Sequence, residues 1–198
     1  GDKNNLKDPK IEKLIGLIDK HLSKNDKIIV FSKYTSTTDY IVEQLKNRKE
    51  LNYGRFQGDC KQIYFDSIIN DVDRDTFANE FKSGKFPLII CSDAASEGLN
   101  LQTANILINV DVPWNPAKLL QRFGRIDRFG QKSEKLVFYN LFYPSTIEDR
   151  MYSRLHDRNN NFRELLGDTP DVTSSDHIDF LENNDFVVNH EPQNLMYK

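Results

Sequence analysis

The sequence predicts an α/β fold: a doubly wound, mostly parallel sheet with helices on both faces. Two observations lead to this prediction. Short apolar runs that suit buried strands alternate along the chain with segments of helical periodicity. The central runs are apolar on both faces, as expected of parallel strands that helices cover from both sides. Ligands of such sheets bind beside the carboxyl ends of the strands, so we expect a site in the loops that follow these runs.

The predicted elements follow in chain order. Asp8 and Pro9 resemble a helix N-cap followed by proline at the first helical position, and apolar residues then recur at helical spacing to Leu22. Further helices are predicted at 36–47, at 74–83 with Gly84 as the stop, from Asn115 onward, and at 146–156. Strands are predicted at 27–31, 53–56, 87–91, 106–110 and 136–142, while the polar segment 59–73 receives no assignment.

Length and composition are those of a soluble globular domain. The chain has 198 residues, of which 38% are hydrophobic and 29% charged, enough for one domain plus an appendage. It has no apolar run of membrane-spanning length and no signal-peptide pattern. Two cysteines and four scattered histidines form neither a disulfide framework nor a metal-ligand spacing. We therefore expect an intracellular location, cytoplasmic or bacterial nucleoid-associated.

Charge divides the chain into two parts. The net charge is -3 and the pI about 5.8, so a nucleic acid would be bound through a small local surface and not through bulk charge. From Thr169 onward, acidic residues face a single basic residue, Lys198. We predict a folded unit at 1–168 and an acidic, extended or partly ordered arm at 169–198. Because the first residue is Gly1 and not Met, the chain is expected to be a piece of a longer protein.

The string QRFGRIDRFGQ (121–131) contains three arginines. Arg125 and Arg128 are three residues apart and would share one face of a helical turn. Two guanidinium groups that point into one space repel each other unless an anion lies between them, and a nucleotide phosphate fits that need. The alternative is a solvated basic helix end paired with Asp127 or Glu134, which the flanking glycines and glutamines disfavour.

Several motifs together resemble one family. QRFGRIDRFGQ resembles motif VI of superfamily-two helicases in its Swi/Snf and RapA-like form. The other matches are VFSKYTST (30–37) with motif IV, SDAASEGLNLQTAN (92–105) with motif V, DVPWNPAKLLQR (111–122) with the run into motif VI, and TIEDRMYSRL (146–155) with the helix that follows. The resemblance covers residues 10–166 in the family's order. It implies the C-terminal RecA-like lobe of such a helicase.

The resemblance also implies residue roles at the nucleotide. Arg125 and Arg128, with Gln121, would act on ATP as catalytic residues, the arginines as fingers on its phosphates. Nucleotide binding would involve Glu97, Gly98 and Asn100. Gly98 suits close backbone approach to a ligand. A plain loop in which Glu97 caps a helix is the alternative for this segment.

Contacts with the nucleic-acid backbone are implied for four residues of motifs IV and V and their surroundings: Ser32, Lys33, Ser92 and Gly58. Helix capping by Thr35 or Ser36 is an alternative use of the segment after the first strand, and the two uses are compatible. A simple turn glycine is an equal alternative for Gly58.

Two motifs of a complete ATPase are absent from the sequence. It contains neither a G-x-x-x-x-G-K-[ST] phosphate loop nor a D-E-x-[HD] box. In the resembled family an N-terminal RecA-like lobe of the same chain carries both. The resemblance therefore implies ATP and Mg²⁺ as cofactors, with Mg²⁺ held by that first lobe. It implies nucleic acid as a partner, double-stranded DNA before RNA, no membrane, and an inactive fragment when this lobe stands alone.

The sequence differs from the common Swi/Snf pattern at two positions, and two other functions are alternatives to the predicted one. Asp127 stands where many Swi/Snf-type proteins carry histidine and Gly124 where many carry aspartate, which is closer to the RapA-like pattern than to nucleosome remodellers. A non-catalytic scaffold, whose acidic arm recruits a protein, is the rival function. The intact set of Gln121, Arg125 and Arg128 disfavours it. A dinucleotide-binding oxidoreductase is excluded because no G-x-G-x-x-G occurs.

Overall fold

A computed structural model describes residues 8–93, 101–113, 115–127, 131–133, 135–143, 146 and 185–189. The helices with both ends in these ranges are α1 (Pro9–Leu22), α2 (Thr35–Leu45), α3 (Arg74–Ser83) and α4 (Pro116–Phe123). Within the same ranges, no helix combines the length and apolar character needed to cross a membrane. The predicted helix at 146–156 and Trp114 lie outside the described residues.

The described strands form one sheet. They are β1 (Ile28–Ser32), β2 (Tyr53–Gln57), β3 (Cys60–Phe65), β4 (Ile68–Asp71), β5 (Leu88–Ser92), β6 (Ile106–Asn109), β7 (Lys135–Asn140) and β8 (Asp185–Asn189). Their order is β4-β3-β2-β5-β1-β6-β7-β8, and β2, β5, β1, β6 and β7 run parallel. The predicted mostly parallel, RecA-like sheet is confirmed.

Antiparallel strands extend the sheet on both sides. The segment that received no assignment forms β3 and β4, which pair antiparallel beyond β2. At the other side β8 pairs antiparallel with β7. Since β8 lies inside the segment predicted as the acidic arm, part of that segment adds a strand to the sheet. The boundary at residue 168 stays a prediction.

Two apolar layers lie on opposite faces of the sheet. Along β1, Ile28 and Val30 enter one layer while Ile29 and Phe31 enter the other, as the alternation of a strand requires. Helices α1 and α2 contribute to the layer of Val30, and α3 and α4 to the layer of Phe31. Because both faces are covered, β1, β5 and β6 are buried along their whole length.

Helix ends agree with the predicted signals in three places. The Asp8 carboxylate accepts a hydrogen bond from the Lys10 N–H at 2.8 Å, and Asn115 Oδ1 accepts one from the Ala117 N–H at 3.0 Å. Gly84 ends α3 in the left-handed region, with φ +88°. The alternative use of the segment after β1, in which Thr35 or Ser36 caps α2, is wrong. Both residues lie inside the helix, and its N-cap is Tyr34, whose side chain makes no capping bond.

A buried polar group ties α1 to the sheet. His21 Nδ1 lies 2.7 Å from Asp26 Oδ2, and His21 Nε2 lies 2.7 Å from the Tyr139 hydroxyl. Asn105 Nδ2 donates to Asp26 Oδ1 at 2.6 Å. His21 and Tyr139 are almost fully buried, so each polar atom needs the partner it has. This group lies on the face of the sheet that α1 and α2 cover.

Candidate functional site

Polar side chains end four adjacent parallel strands. The last residues of β5, β1, β6 and β7 are Ser92, Ser32, Asn109 and Asn140. All four are buried, and Asn109 Nδ2 donates to Asn140 Oδ1 at 2.8 Å. Apolar strands that end together in buried polar groups form a polar edge above the core. This carboxyl edge is where sheets of this architecture bind ligands. We call these four residues, with Asp93, Asp111 and Arg122, the strand-end cluster.

Arg122 of α4 lies at the centre of the strand-end cluster. It is 3% exposed, and its Nε donates to Asp93 Oδ1 at 2.6 Å. Its Nη1 donates to Asn109 Oδ1 at 2.8 Å and to the Asp111 carbonyl at 2.9 Å. Removing a guanidinium from water is unfavourable by several kcal/mol. The ion pairs and hydrogen bonds to Asp93, Asn109 and Asp111 offset that free energy. Arg122 therefore fastens α4 to the ends of β5 and β6.

Asp111 follows β6 and its carboxylate contacts two different parts of the chain. Its Oδ2 accepts a hydrogen bond from the Ser32 hydroxyl at 2.6 Å, and its Oδ1 accepts one from the Lys33 N–H at 2.7 Å. On its other side, Oδ1 lies 3.4 Å from Arg122 Nη2. Asp111 thereby joins the loop after β1 to the anchored arginine of α4. The sequence prediction assigned no role to Asp111 or Asp93, although an acidic residue shortly after a buried strand was an available signal.

Arg125 lies in the turn after α4, beyond Gly124. Its N–H donates to the Arg122 carbonyl at 3.1 Å, and the next residue, Ile126, is fully buried. The turn is thus fixed on one side by Arg122 and on the other by the core, while Arg125 itself stays half-buried. Gln121 is exposed on α4. Whether Arg125 shares a face with Arg128 stays a prediction, because Arg128 lies outside the described residues.

The two motif IV candidates differ in accessibility. Ser32 is fully buried, and its hydroxyl is engaged with Asp111 while it accepts a hydrogen bond from the Tyr34 N–H at 3.1 Å. Lys33 is exposed, and its Nζ lies 5.2 Å from the centroid of the Tyr34 ring. Tyr34 is 54% exposed. Lys33 and Tyr34 therefore present a cation and an aromatic ring to solvent beside the cluster.

Gly58 occupies the turn between β2 and β3, at the carboxyl end of β2. Its φ of +54° lies in the left-handed region, which favours glycine. The turn is exposed, so its backbone is accessible on the same edge of the sheet as the strand-end cluster. The remaining predicted nucleotide residues, Glu97, Gly98 and Asn100, lie outside the described part of the chain.

The strand-end cluster adjoins the buried apolar core. Cys91, the residue before Ser92 on β5, is completely buried, and burial raises the pKa of its thiol well above the ordinary value. The nearby guanidinium of Arg122 lowers the pKa of the same thiol in part. The charge-assisted bonds of Arg122 therefore lie next to a buried apolar core, where they are stronger than in water.

A mostly parallel sheet, helices on both faces and a polar carboxyl edge with an arginine-bearing turn define the class of RecA-like α/β lobes. The family described as Helicase conserved C-terminal domain matches residues 9–130, more than half of the chain. The chain belongs to this family, whose members form the C-terminal lobe of superfamily-two helicases.

Relatives of known name agree with this assignment. The chain is 29% identical over 170 residues to the uncharacterized ATP-dependent helicase YqhH of Bacillus subtilis, covering 86% of this chain and 28% of that protein. It is 32% identical over 169 residues to the DNA repair and recombination protein RAD54B of Gallus gallus, covering 85% of this chain and 17% of that protein. The chain therefore spans less than a third of the length of either relative.

A solved structure agrees as well. The crystal structure of the C-terminal part of the Fun30 ATPase domain superposes with a TM-score of 0.63 at 26% identity, covering 77% of this chain and 46% of that chain. The resemblance to the C-terminal lobe of a Swi/Snf-type superfamily-two helicase is confirmed.

Proposed function

We propose that this chain is the second RecA-like lobe of a nucleic-acid-dependent ATPase, a DNA translocase or helicase-like motor. In this proposal Arg125 and Arg128 reach ATP that is held against a first lobe. The observation that carries the proposal is the position of Arg125. It lies in a turn fixed by the buried Arg122 and Ile126, beside the edge at which such sheets bind ligands. A positioned, always charged guanidinium is suited to phosphate oxygens.

The nucleotide site is proposed to be shared between two lobes. The 198 residues contain no phosphate loop and no D-E-x-[HD] box, so the triphosphate and Mg²⁺ would be held by an N-terminal lobe of the parent protein. Gln121, exposed on α4, is proposed to face the same cleft, together with Glu97, Gly98 and Asn100. The relatives named as an ATP-dependent helicase and an ATPase domain support ATP as the nucleotide.

The nucleic-acid surface is proposed to run over the loop after β1. Lys33 offers a point charge to a phosphate, and the exposed ring of Tyr34 beside it offers apolar contact to sugar or base. The turn at Gly58 borders the same edge, and Ser92 is a further candidate. Ser32 is proposed to act by holding the loop, because its hydroxyl is engaged with Asp111. The name of RAD54B supports DNA as the polymer, and hence action inside the cell.

The test replaces the arginines in the full parent protein. R125A and R128A are each expected to lower the DNA-stimulated rate of ATP hydrolysis by about 10³-fold, since a finger contributes on the order of 10³–10⁵. Thermal unfolding should show that both variants stay folded. R48A is the matched control: Arg48 pairs with Asp19 on the surface, and such pairs contribute little to stability.

The outcomes separate the two candidate functions. Lost hydrolysis in R125A and R128A, with R48A active, supports the ATPase. Unchanged hydrolysis in both finger variants contradicts a catalytic role for this lobe and supports a non-catalytic scaffold with a RecA-like fold.

A further inference from the structure

We propose that Asp111 is a positioning residue that couples nucleic-acid binding to ATP hydrolysis. It lies between the loop that carries Lys33 and the turn that carries Arg125. This inference rests on the proposed function, since it assumes that Lys33 faces nucleic acid and that Arg125 faces ATP. It adds a physical connection between the two surfaces.

The first part of the connection is the hold of Asp111 on the loop after β1. Both carboxylate oxygens lie within hydrogen-bond distance of the Lys33 N–H, at 2.7 and 2.9 Å, and Oδ2 also accepts from the Ser32 hydroxyl at 2.6 Å. Hydrogen bonds to an ionised acceptor are about twice as strong as neutral ones. The main chain of Lys33 therefore cannot shift without moving Asp111 or breaking these bonds.

The second part runs from Asp111 to Arg125. The Asp111 carbonyl accepts from Arg122 Nη1 at 2.9 Å, and its carboxylate lies 3.4 Å from Arg122 Nη2. The Arg122 carbonyl then accepts from the Arg125 N–H at 3.1 Å. Two residues, Asp111 and Arg122, thus complete a line of direct contacts between the backbones of Lys33 and Arg125.

Burial makes this line stiff. Arg122 is 3% exposed, so a displaced guanidinium has no water to replace the carboxylates it would leave. When Asp111 moves, Arg122 is therefore expected to move with it, because breaking their contact would leave Nη2 of the buried guanidinium without its carboxylate acceptor. Coupling between two binding sites requires that each ligand changes the same set of contacts, and these contacts adjoin both surfaces.

Two variants weaken the line in graded steps. D111N keeps the shape of the side chain, removes its charge and places a donor where one acceptor was. S32A removes the hydroxyl bond to Asp111 and the acceptor for the Tyr34 N–H, but leaves the charge of Asp111 and its bonds to Lys33 and Arg122 in place. It is the milder change, so it keeps the test decisive where D111N fails to fold. The matched control is Y139F, which removes a buried hydrogen bond to His21 on the opposite face of the sheet.

The experiment measures ATP hydrolysis by the full parent protein at saturating ATP against the concentration of linear double-stranded DNA. The maximal stimulation is the rate at saturating DNA divided by the rate without DNA. We expect it to fall about tenfold in D111N, where every side-chain bond of Asp111 loses its charge, and about threefold in S32A, where Asp111 loses one hydrogen bond. The half-saturating DNA concentration should stay within about threefold of wild type. Y139F should leave both quantities unchanged.

Other outcomes overturn the coupling. If D111N folds and shows the maximal stimulation of wild type, the coupling is contradicted. If D111N does not fold, the same result in S32A contradicts the coupling. A change confined to the half-saturating DNA concentration contradicts it too, because Asp111 would then only shape the DNA surface. Equal losses in Y139F would mean that general destabilisation, and not the line through Asp111, lowers stimulation. If wild type shows no stimulation by DNA, the proposed function itself fails, and the coupling fails with it.

Discussion

At the scale of the residue, Arg122 shows how burial and charge are reconciled in this lobe. Its guanidinium lies 5.4 Å from the centroid of the Phe31 ring and forms ion pairs with the carboxylates of Asp93 and Asp111. With Asn109 and the Asp111 carbonyl added, each nitrogen of the fork has an acceptor. Arginine suits this position better than lysine, because a planar fork reaches several strand ends at once and an ammonium group does not.

Asp73 makes a prediction about pH. Its carboxylate accepts hydrogen bonds from the Thr76 N–H and the Thr76 hydroxyl, both at 2.8 Å, as the N-cap of α3. These bonds, the backbone one first, hold the pKa of Asp73 below its ordinary value. Because the folded pKa is the lower one, the stabilisation is complete above the unfolded pKa of about 4 and is lost as the pH falls through the folded pKa.

The measurement is the urea midpoint of unfolding at pH 7 and at about pH 3, below the unfolded pKa. D73A should have a lower midpoint than wild type at pH 7, and the difference should shrink at the lower pH. D73N is the matched control, because asparagine caps helices as well as aspartate does and does not titrate. A difference between D73A and wild type that is equal at both pH values would contradict the assignment.

The arginines also show what sequence spacing can and cannot predict. The string 121–131 indicated the family and the importance of its arginines, but not that Arg122 turns inward while Arg125 stays half-buried. The difference depends on Asp93 at the end of β5 and on Asn109 and Asp111 at the end of β6, two parts of the chain that meet only in the folded sheet. Local spacing carries no information about partners that a parallel sheet brings together.

At the scale of the element, predictability followed the strength of the periodic signal. The parallel strands were predicted within one or two residues, and the central three, β1, β5 and β6, are runs of apolar residues buried on both faces. The antiparallel pair β3 and β4 was not predicted. β4 is exposed at every position, so it lacks alternation, and its turn uses Asp66 and Ser67 at φ +49° and +67°. Asn-Gly, the common signal for such a turn, is absent there.

Gly54 of β2 makes a prediction about packing. A Cβ added there would lie 2.5 Å from Phe77 Cζ and 2.6 Å from Phe86 Cε2, and both rings are fully buried. G54A should therefore lower the free energy of unfolding by about 1–3 kcal/mol through overpacking against α3. Urea unfolding measures this loss. The double variant G54A/F77L should lose less than the sum of the single variants, because leucine lacks the ring atom that is struck.

Gly16 is the matched control for that substitution. It lies exposed in α1, and a Cβ added there meets nothing within 4 Å. G16A should raise the free energy of unfolding by about 0.5–1 kcal/mol, because alanine favours helix over glycine. A wild-type stability for G54A would show that the aromatic layer between β2 and α3 yields easily.

At the scale of the whole molecule, the lobe is proposed to be half of a catalytic unit. The isolated 198-residue chain, mixed with ATP, Mg²⁺ and double-stranded DNA, is expected to show no turnover above background, because it lacks the phosphate loop and the D-E-x-[HD] box. Phosphate release measures the rate, and circular dichroism verifies that the chain is folded. The parent protein in the same buffer is the positive control. Robust turnover by the isolated chain would contradict the shared site.

The central place of β1 has a consequence for how the chain is made. β1 lies between β5 and β6, and Ile28 pairs with Leu88 and Ile106, which are synthesised about 60 and 80 residues later. At roughly 5–20 residues per second, the nascent apolar strand waits several seconds for either neighbour. The helices that pack on one face of it, α1 and α2, are synthesised before either of those strands. The lobe is thus built around a strand that is synthesised well before either of the strands it pairs with.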